Sequence, residues 1–267
     1  MFSIFADSPI DQNFTAMHSW LSPLFEDFNS KQQTMFNTTA RQDRLATRIL
    51  QMNDIQRWLH EPGIVVWCVG ARGVGKTILA SFLINFIQQK TENLSAGVAY
   101  IYCDYNESKK HSAQNFLGVI LQQLCIQKSG IISSLATSYE SHRRNKTAPS
   151  LETLGKLLQV LAESISRLYL IMDGVDECPS ETRDLLFREI RKLHPKISLF
   201  MTSRHVASAM LAFPTKIICE VTADERDIEC YLSDRLKGSD LFQSHMLKNQ
   251  TLREQIISSI VTKAKGM

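Results

Sequence analysis

Apolar residues recur along the chain in two rhythms that take turns. Over residues 41–60, Leu45, Ile49, Met52, Ile55 and Leu59 return at spacings of three and four, which predicts one helix. Glu61-Pro62-Gly63 ends it. Residues 64–69 form a short continuous apolar run rich in β-branched side chains, the pattern of a strand buried on both faces. Helical spacing returns over 76–90, with apolar residues at 78, 79, 82, 83, 86 and 87. Strands are predicted again over 98–103, 168–172, 197–201 and 217–221, and helices over 112–127, 151–165 and 180–194. Ser150 is a suitable N-cap for the second of these helices. Thr222 and Glu225 are spaced as a capping box leading into Ile228, Tyr231, Leu232 and Leu236. A last helical stripe runs through Leu252, Ile256, Ile257, Ile260 and Val261, and it must bury itself against something. Residues 1–40 show neither rhythm and read as an irregular appendage with one helix.

Five strands separated mostly by helical segments predict an α/β fold, a parallel sheet covered on both faces. The domain plan that follows is an appendage over 1–40, a core domain over 41–221 and a helical extension over 222–267. With 267 residues the chain can bury a substantial core without staples. Its 30 Lys+Arg against 27 Asp+Glu leave a net charge of +3, too balanced to point to nucleic acid or an anionic membrane. The densest basic run, His142-Arg143-Arg144-Asn145-Lys146, reads as a solvated connector. No run approaches the roughly 18 apolar residues of a membrane span. The first residues lack the basic-then-apolar order of a secretory leader. The six cysteines are scattered and form no metal-ligand pair, so they read as reduced thiols of a cytoplasmic protein.

Chemistry concentrates at three strand ends. Gly70-Ala71-Arg72-Gly73-Val74-Gly75-Lys76-Thr77 fits G-x-x-x-x-G-K-[ST] between a strand and a helix. The glycines let backbone N–H groups turn around phosphate oxygens, and the helix that follows aims its N-terminus at the anion. Lys76 offers a charge to the β- and γ-phosphates, and Thr77 a hydroxyl to Mg²⁺. Lys76 is expected to be solvated when no ligand is bound. Asp173 ends the third strand, where it can hold Mg²⁺. Asp176 and Glu177 follow on the next loop, placed to polarise an attacking water. Thr202-Ser203-Arg204 closes the fourth strand, and Arg204 can stabilise charge developing on the γ-phosphate. The same motifs admit a small-molecule kinase, or a module that holds nucleotide without turnover.

The order of a phosphate loop (Walker A), Asp173-Gly174-Val175-Asp176-Glu177 (Walker B) and Thr202-Ser203-Arg204 resembles the NACHT class of signal-transduction ATPases. The wider pattern resembles the fungal NACHT, or nephrocystin-3-like N-terminal, family. Its matching pieces are Trp20-Leu21-Ser22-Pro23-Leu24, Arg41-Gln42, Trp58-Leu59, Val66-Trp67-Cys68-Val69-Gly70, Leu79-Ala80-Ser81, the stretch from Ala99 to Tyr105, and Asp227-Ile228. The resemblance implies a three-layer P-loop NTPase with sheet order 5-1-4-3-2, binding ATP or GTP with Mg²⁺ as an NLR-like switch. It departs at Arg72, where such loops usually carry Pro, and at residues 44–47, which replace a Thr-Gly. Arg72 is expected to point outward. In that family the domain precedes a winged helix and repeats, so the chain is expected to be truncated. Its C-terminal helices are then free to self-associate.

Overall fold

The computed structural model describes residues 16–17, 19–39, 43–92, 95–127, 132–145, 147–204, 212–213, 216–222, 225–237 and 251–264. The apolar runs become five strands: β1 (Val65–Val69), β2 (Ala96–Tyr102), β3 (Arg167–Asp173), β4 (Ile197–Ser203) and β5 (Ile217–Glu220). All pair in parallel, in the order β2-β3-β4-β1-β5, which is the implied 5-1-4-3-2. Every residue of β1, β2 and β4 is buried, as a sheet covered by helices on both faces requires. Register sets Val69 beside Ser203 and Tyr102 beside Asp173. The strands that carry the motifs therefore finish together at one edge, and the motifs meet there.

Among the described residues the helices are α1 (Phe25–Thr39), α2 (Asp43–Leu50), α3 (Asn53–His60), α4 (Lys76–Thr91), α5 (Ala113–Gln127), α6 (Ile132–Asn145), α7 (Leu151–Ser164), α8 (Ser180–Arg191), α9 (Glu225–Lys237) and α10 (Leu252–Ala264). The single helix predicted over 41–60 is two. Met52 is extended between them (φ −68°, ψ 131°) and caps α3. The break lets the Met52 sulfur meet Cys219 on β5 at 3.8 Å while Ile49 and Ile55 both stay buried. Residues 142–145, read as a connector, form the last turn of α6, and Lys146 lies outside the described residues. Among its described side chains, Leu135 and Tyr139 are buried, a sparse period that does not announce itself in the sequence. Ser150 caps α7 by accepting the Thr153 N–H at 3.1 Å.

The stretch read as irregular carries α1 and packs into the core. Met17, Leu21, Leu24 and Phe28 are buried. Gly118 on α5 admits this segment, since a Cβ there would stand 2.0 Å from the Leu21 carbonyl oxygen. Gln122 donates to the Ser22 carbonyl at 3.0 Å beside it. The edge strand β2 is closed by α5. Gln123 accepts the Tyr100 N–H at 2.7 Å and donates to the Tyr100 carbonyl at 3.1 Å; Gln127 does the same for Val98. Two glutamine amides thus stand where another strand would pair. Cys68, Cys103, Cys125, Cys178 and Cys219 are buried free thiols, and the Cys230 side chain lies outside the described ones. At the other end, Val261 of α10 is buried while Ile260 is 40% exposed. The Thr222–Glu225 capping box spans residues 223–224, outside the described residues.

Candidate functional site

β1 leads into Gly70, whose N–H donates to the Ser203 carbonyl at 3.2 Å. A Cβ at Gly70 would lie 2.5 Å from the Val221 carbonyl oxygen, so only glycine fits between β4 and the end of β5. The loop then swings outward. Ala71, Arg72 and Gly73 are exposed, Arg72 as expected for an outward side chain. Val74 turns back into the core. Gly73 (φ 84°) and Gly75 (φ 95°) take the left-handed conformation that turns successive N–H groups inward as an anion nest. Gly75 is also the N-cap of α4; no side chain caps that helix and no acidic residue stands in its first turn. The first N–H groups of a 16-residue helix are left for a ligand oxygen.

Lys76 opens α4. Its ammonium is half-buried and donates to the Gly70 and Ala71 carbonyls, each at 2.8 Å, so it is bonded across the loop rather than solvated. Burial lowers its pKa, against the pull of Asp176 and Asp173. Thr77 follows in the first turn of α4, and its hydroxyl acts to lower the pKa of Asp173. Asp173 itself is 5% exposed, and burial pushes its carboxyl up from the ordinary carboxylate value. A hydrogen bond from Thr202, the Thr77 hydroxyl and the charges of Lys31 and Lys76 oppose that shift. The Thr202 hydroxyl donates to Asp173 Oδ1 at 2.6 Å and accepts the Gly174 N–H at 2.9 Å. In the sequence Thr202 is only part of a strand end; a hydroxyl one strand away from a terminal carboxylate is its only signal.

Beyond Asp173 the chain turns sharply. Gly174 (φ 68°) sits against the Cys103 carbonyl, and the Glu177 N–H returns to the Gly174 carbonyl at 2.8 Å. Asp176 and Glu177 both meet Arg204. The Arg204 backbone N–H donates to Asp176 Oδ1 at 3.2 Å, its Nε lies 3.6 Å from Asp176 Oδ2, and its Nη2 donates to Glu177 Oε1 at 2.6 Å. The second Glu177 oxygen accepts the Tyr105 N–H at 3.4 Å. All the residues singled out in the sequence therefore gather at one sheet edge. What the sequence did not show is that Arg204 already holds both acidic residues of the loop.

The set suits a phosphate chain with a divalent cation. The loop supplies backbone donors, and Thr77 and Asp173 supply hard oxygen ligands of the kind Mg²⁺ takes. A carboxylate this buried favours a nearby positive charge.

Comparison with known proteins narrows the reading. The model of the family described as Nephrocystin 3, N-terminal matches residues 45–204, more than half of the chain. No curated protein matches the sequence. Among solved structures, the Aeropyrum pernix ORC1 protein in complex with DNA is similar with a TM-score of 0.51 at 14% identity, over 73% of this chain and 49% of that one. Drosophila ORC bound to DNA gives 0.42 at 12% identity, over 90% and 55%. AMPPCP-bound DnaA from Aquifex aeolicus gives 0.42 at 15%, over 84% and 61%. The chain spans about half the length of the ORC1 protein, and that likeness is one of fold.

Proposed function

The chain belongs to the nephrocystin 3, N-terminal family, and from that premise we propose that it binds ATP or GTP with Mg²⁺, hydrolyses it slowly and serves as a cytoplasmic, NLR-like signalling switch, as in the fungal relatives it resembles. The observation that carries the proposal is the Gly73–Gly75 nest, with the Lys76 ammonium bonded across it, at the same sheet edge as the buried Asp173 that ends β3. Phosphate oxygens would take the loop N–H groups and the Lys76 ammonium, which would exchange its two loop carbonyls for the anion. Thr77 and Asp173 would hold Mg²⁺, whose contribution is to neutralise charge on the phosphate oxygens.

Glu177 is the residue we assign to the attacking water. Asp176 is held by the Arg204 backbone N–H, whereas Arg204 holds Glu177 only through its side chain, so Glu177 is freed for water when that side chain turns to the phosphate, with the Tyr105 N–H left beside it. Arg204 leaves these carboxylates to meet the γ-phosphate. Its present bonds must break first, which supports slow turnover. The nucleotide unit is placed at 41–221, with 222–267 as its extension. No described helix is long and apolar enough to cross a membrane. Nucleic acid is left out of the proposal because the charge is balanced; a labelled duplex that binds at physiological salt would overturn that part.

Calorimetric titration tests the whole. Wild type should bind Mg-ATP or Mg-GTP, and Lys76→Ala should weaken binding about tenfold or more. Equal affinity in the two proteins would sink the phosphate-loop assignment. Glu177→Gln should keep the nucleotide and cut phosphate release by roughly 10²-fold.

A further inference from the structure

The amino-terminal helix reaches the site from outside the family-matched region. α1 packs on α4, the helix that carries Lys76 and Thr77. Gln32 spans the gap: its Nε2 donates to the Ser81 carbonyl at 3.0 Å, and its Oε1 accepts the Tyr102 hydroxyl at the end of β2. Next to it, Lys31 Nζ lies 3.3 Å from Asp104 Oδ2 and 5.5 Å from the centre of the Tyr102 ring. Asp104 uses its other oxygen to accept the Asn106 N–H at 3.0 Å, which folds Tyr105–Glu107 into one 3₁₀ turn. That turn delivers the Tyr105 N–H to Glu177 Oε2 at 3.4 Å. Behind it, the Cys103 N–H is fixed to the Asp173 carbonyl at 2.9 Å, so the strand end cannot follow if the turn moves.

These contacts form a single line from α1 to Glu177. Lys31 and Asp104 are about a quarter to a third exposed, which gives the pair a better-than-surface environment. We propose that Lys31 is a positioning residue for Glu177. From α1 it pins Asp104, Asp104 shapes the Tyr105–Glu107 turn, and the turn's amide sets the orientation of the Glu177 carboxylate. The proposal rests on the reading of Glu177 as the residue that orients water. It adds that docking of α1, which precedes residues 45–204, is coupled to turnover. The coupling acts on the chemical step, because the phosphate loop that carries affinity is not in this line.

The test uses Lys31→Met, which keeps an unbranched side chain of similar length on α1 and removes the charge. Phosphate release should fall about fivefold, with ATP affinity and thermal midpoint unchanged. Lys31→Arg should restore release, and Lys31→Met should add nothing in a Glu177→Gln background. Hydrogen exchange followed by mass spectrometry should show faster exchange over residues 104–107 in Lys31→Met, with or without nucleotide. An additive loss in the double variant would overturn the proposal, as would unchanged exchange over 104–107. So would a loss that appears only as a higher Mg²⁺ requirement, which would place the effect of Lys31 on Asp173. A wild type that releases no phosphate would defeat the hydrolase reading alone, and the exchange comparison would then decide this proposal.

Discussion

Single residues at the site set burial against charge. Asp173 keeps its place because two hydroxyls and two ammonium groups offset the desolvation that raises its pKa. Thr202 matters most there, since it serves Asp173 and the Gly174 N–H at once and is fully buried. Thr202→Val keeps the shape and leaves the amide unpaired. It should cost about 1–3 kcal/mol in chemical denaturation and weaken the Mg²⁺ dependence of nucleotide binding. His111 shows the opposite case. Its ring lies 5.0 Å from Phe116 and 6.3 Å from Phe28 between centroids, and its Nδ1 finds no hydrogen bond among the described residues. Burial lowers its pKa below the ordinary 6.5; Glu107 and Asp104 oppose that, while Lys31 and Lys110 add to it. The folded protein therefore takes up this proton less readily than the unfolded chain. The linked stability is complete above 6.5 and is lost as pH falls through 6.5 towards the lower folded value. His111→Leu should flatten that part of the pH–stability curve, read by urea denaturation across the window; an unchanged slope would show that other groups set the acid sensitivity.

Elements depend on how their exposed backbone is satisfied. β2 is the sheet's edge, yet Gln123 and Gln127 of α5 occupy the outward N–H and C=O groups of Tyr100 and Val98. Gln123→Leu would leave both Tyr100 groups without a partner at a buried position. A loss of about 1–3 kcal/mol per group is expected, with concentration-dependent association through the opened edge. Denaturation gives the first and sedimentation velocity the second. A monomer of unchanged stability would mean that the edge is protected by something other than these amides.

The whole molecule is held together at its ends by unlike contacts. Gly118→Ala would set a methyl group 2.0 Å from the Leu21 carbonyl oxygen, backbone against backbone, so the segment before α1 must move. Limited proteolysis should then cut within residues 16–39, with a stability loss of about 1–3 kcal/mol. If Lys31 acts as proposed, phosphate release falls in the same variant. At the other end, α10 buries Val261 but leaves Ile260 40% exposed. Weak self-association through this helix is expected in light scattering, with Ile260→Glu returning the protein to a monomer. A discrete high oligomer formed only with a non-hydrolysable ATP analogue would show a different, nucleotide-built interface.

Whatever depends on near neighbours is legible in the chain. A continuous apolar run makes a buried strand, glycines before Gly75-Lys76-Thr77 make a phosphate loop, and a strand ending in Asp173 or Arg204 places that side chain at the sheet edge. These depend on neighbours a few residues away, so their period and spacing are visible in the chain, and the resemblance supplied the strand order. Tertiary structure decided the rest. The Met52 break sets its sulfur against Cys219, α6 gives Leu135 and Tyr139 to the core, and a glycine on α5 makes room for the buried Leu21. Arg204 meets Asp176 and Glu177, Thr202 meets Asp173, and Lys31 reaches Asp104 only because parallel strands and packed helices bring distant segments to one edge. No local period encodes a partner tens to more than a hundred residues away, so those pairings appear only once the sheet has closed.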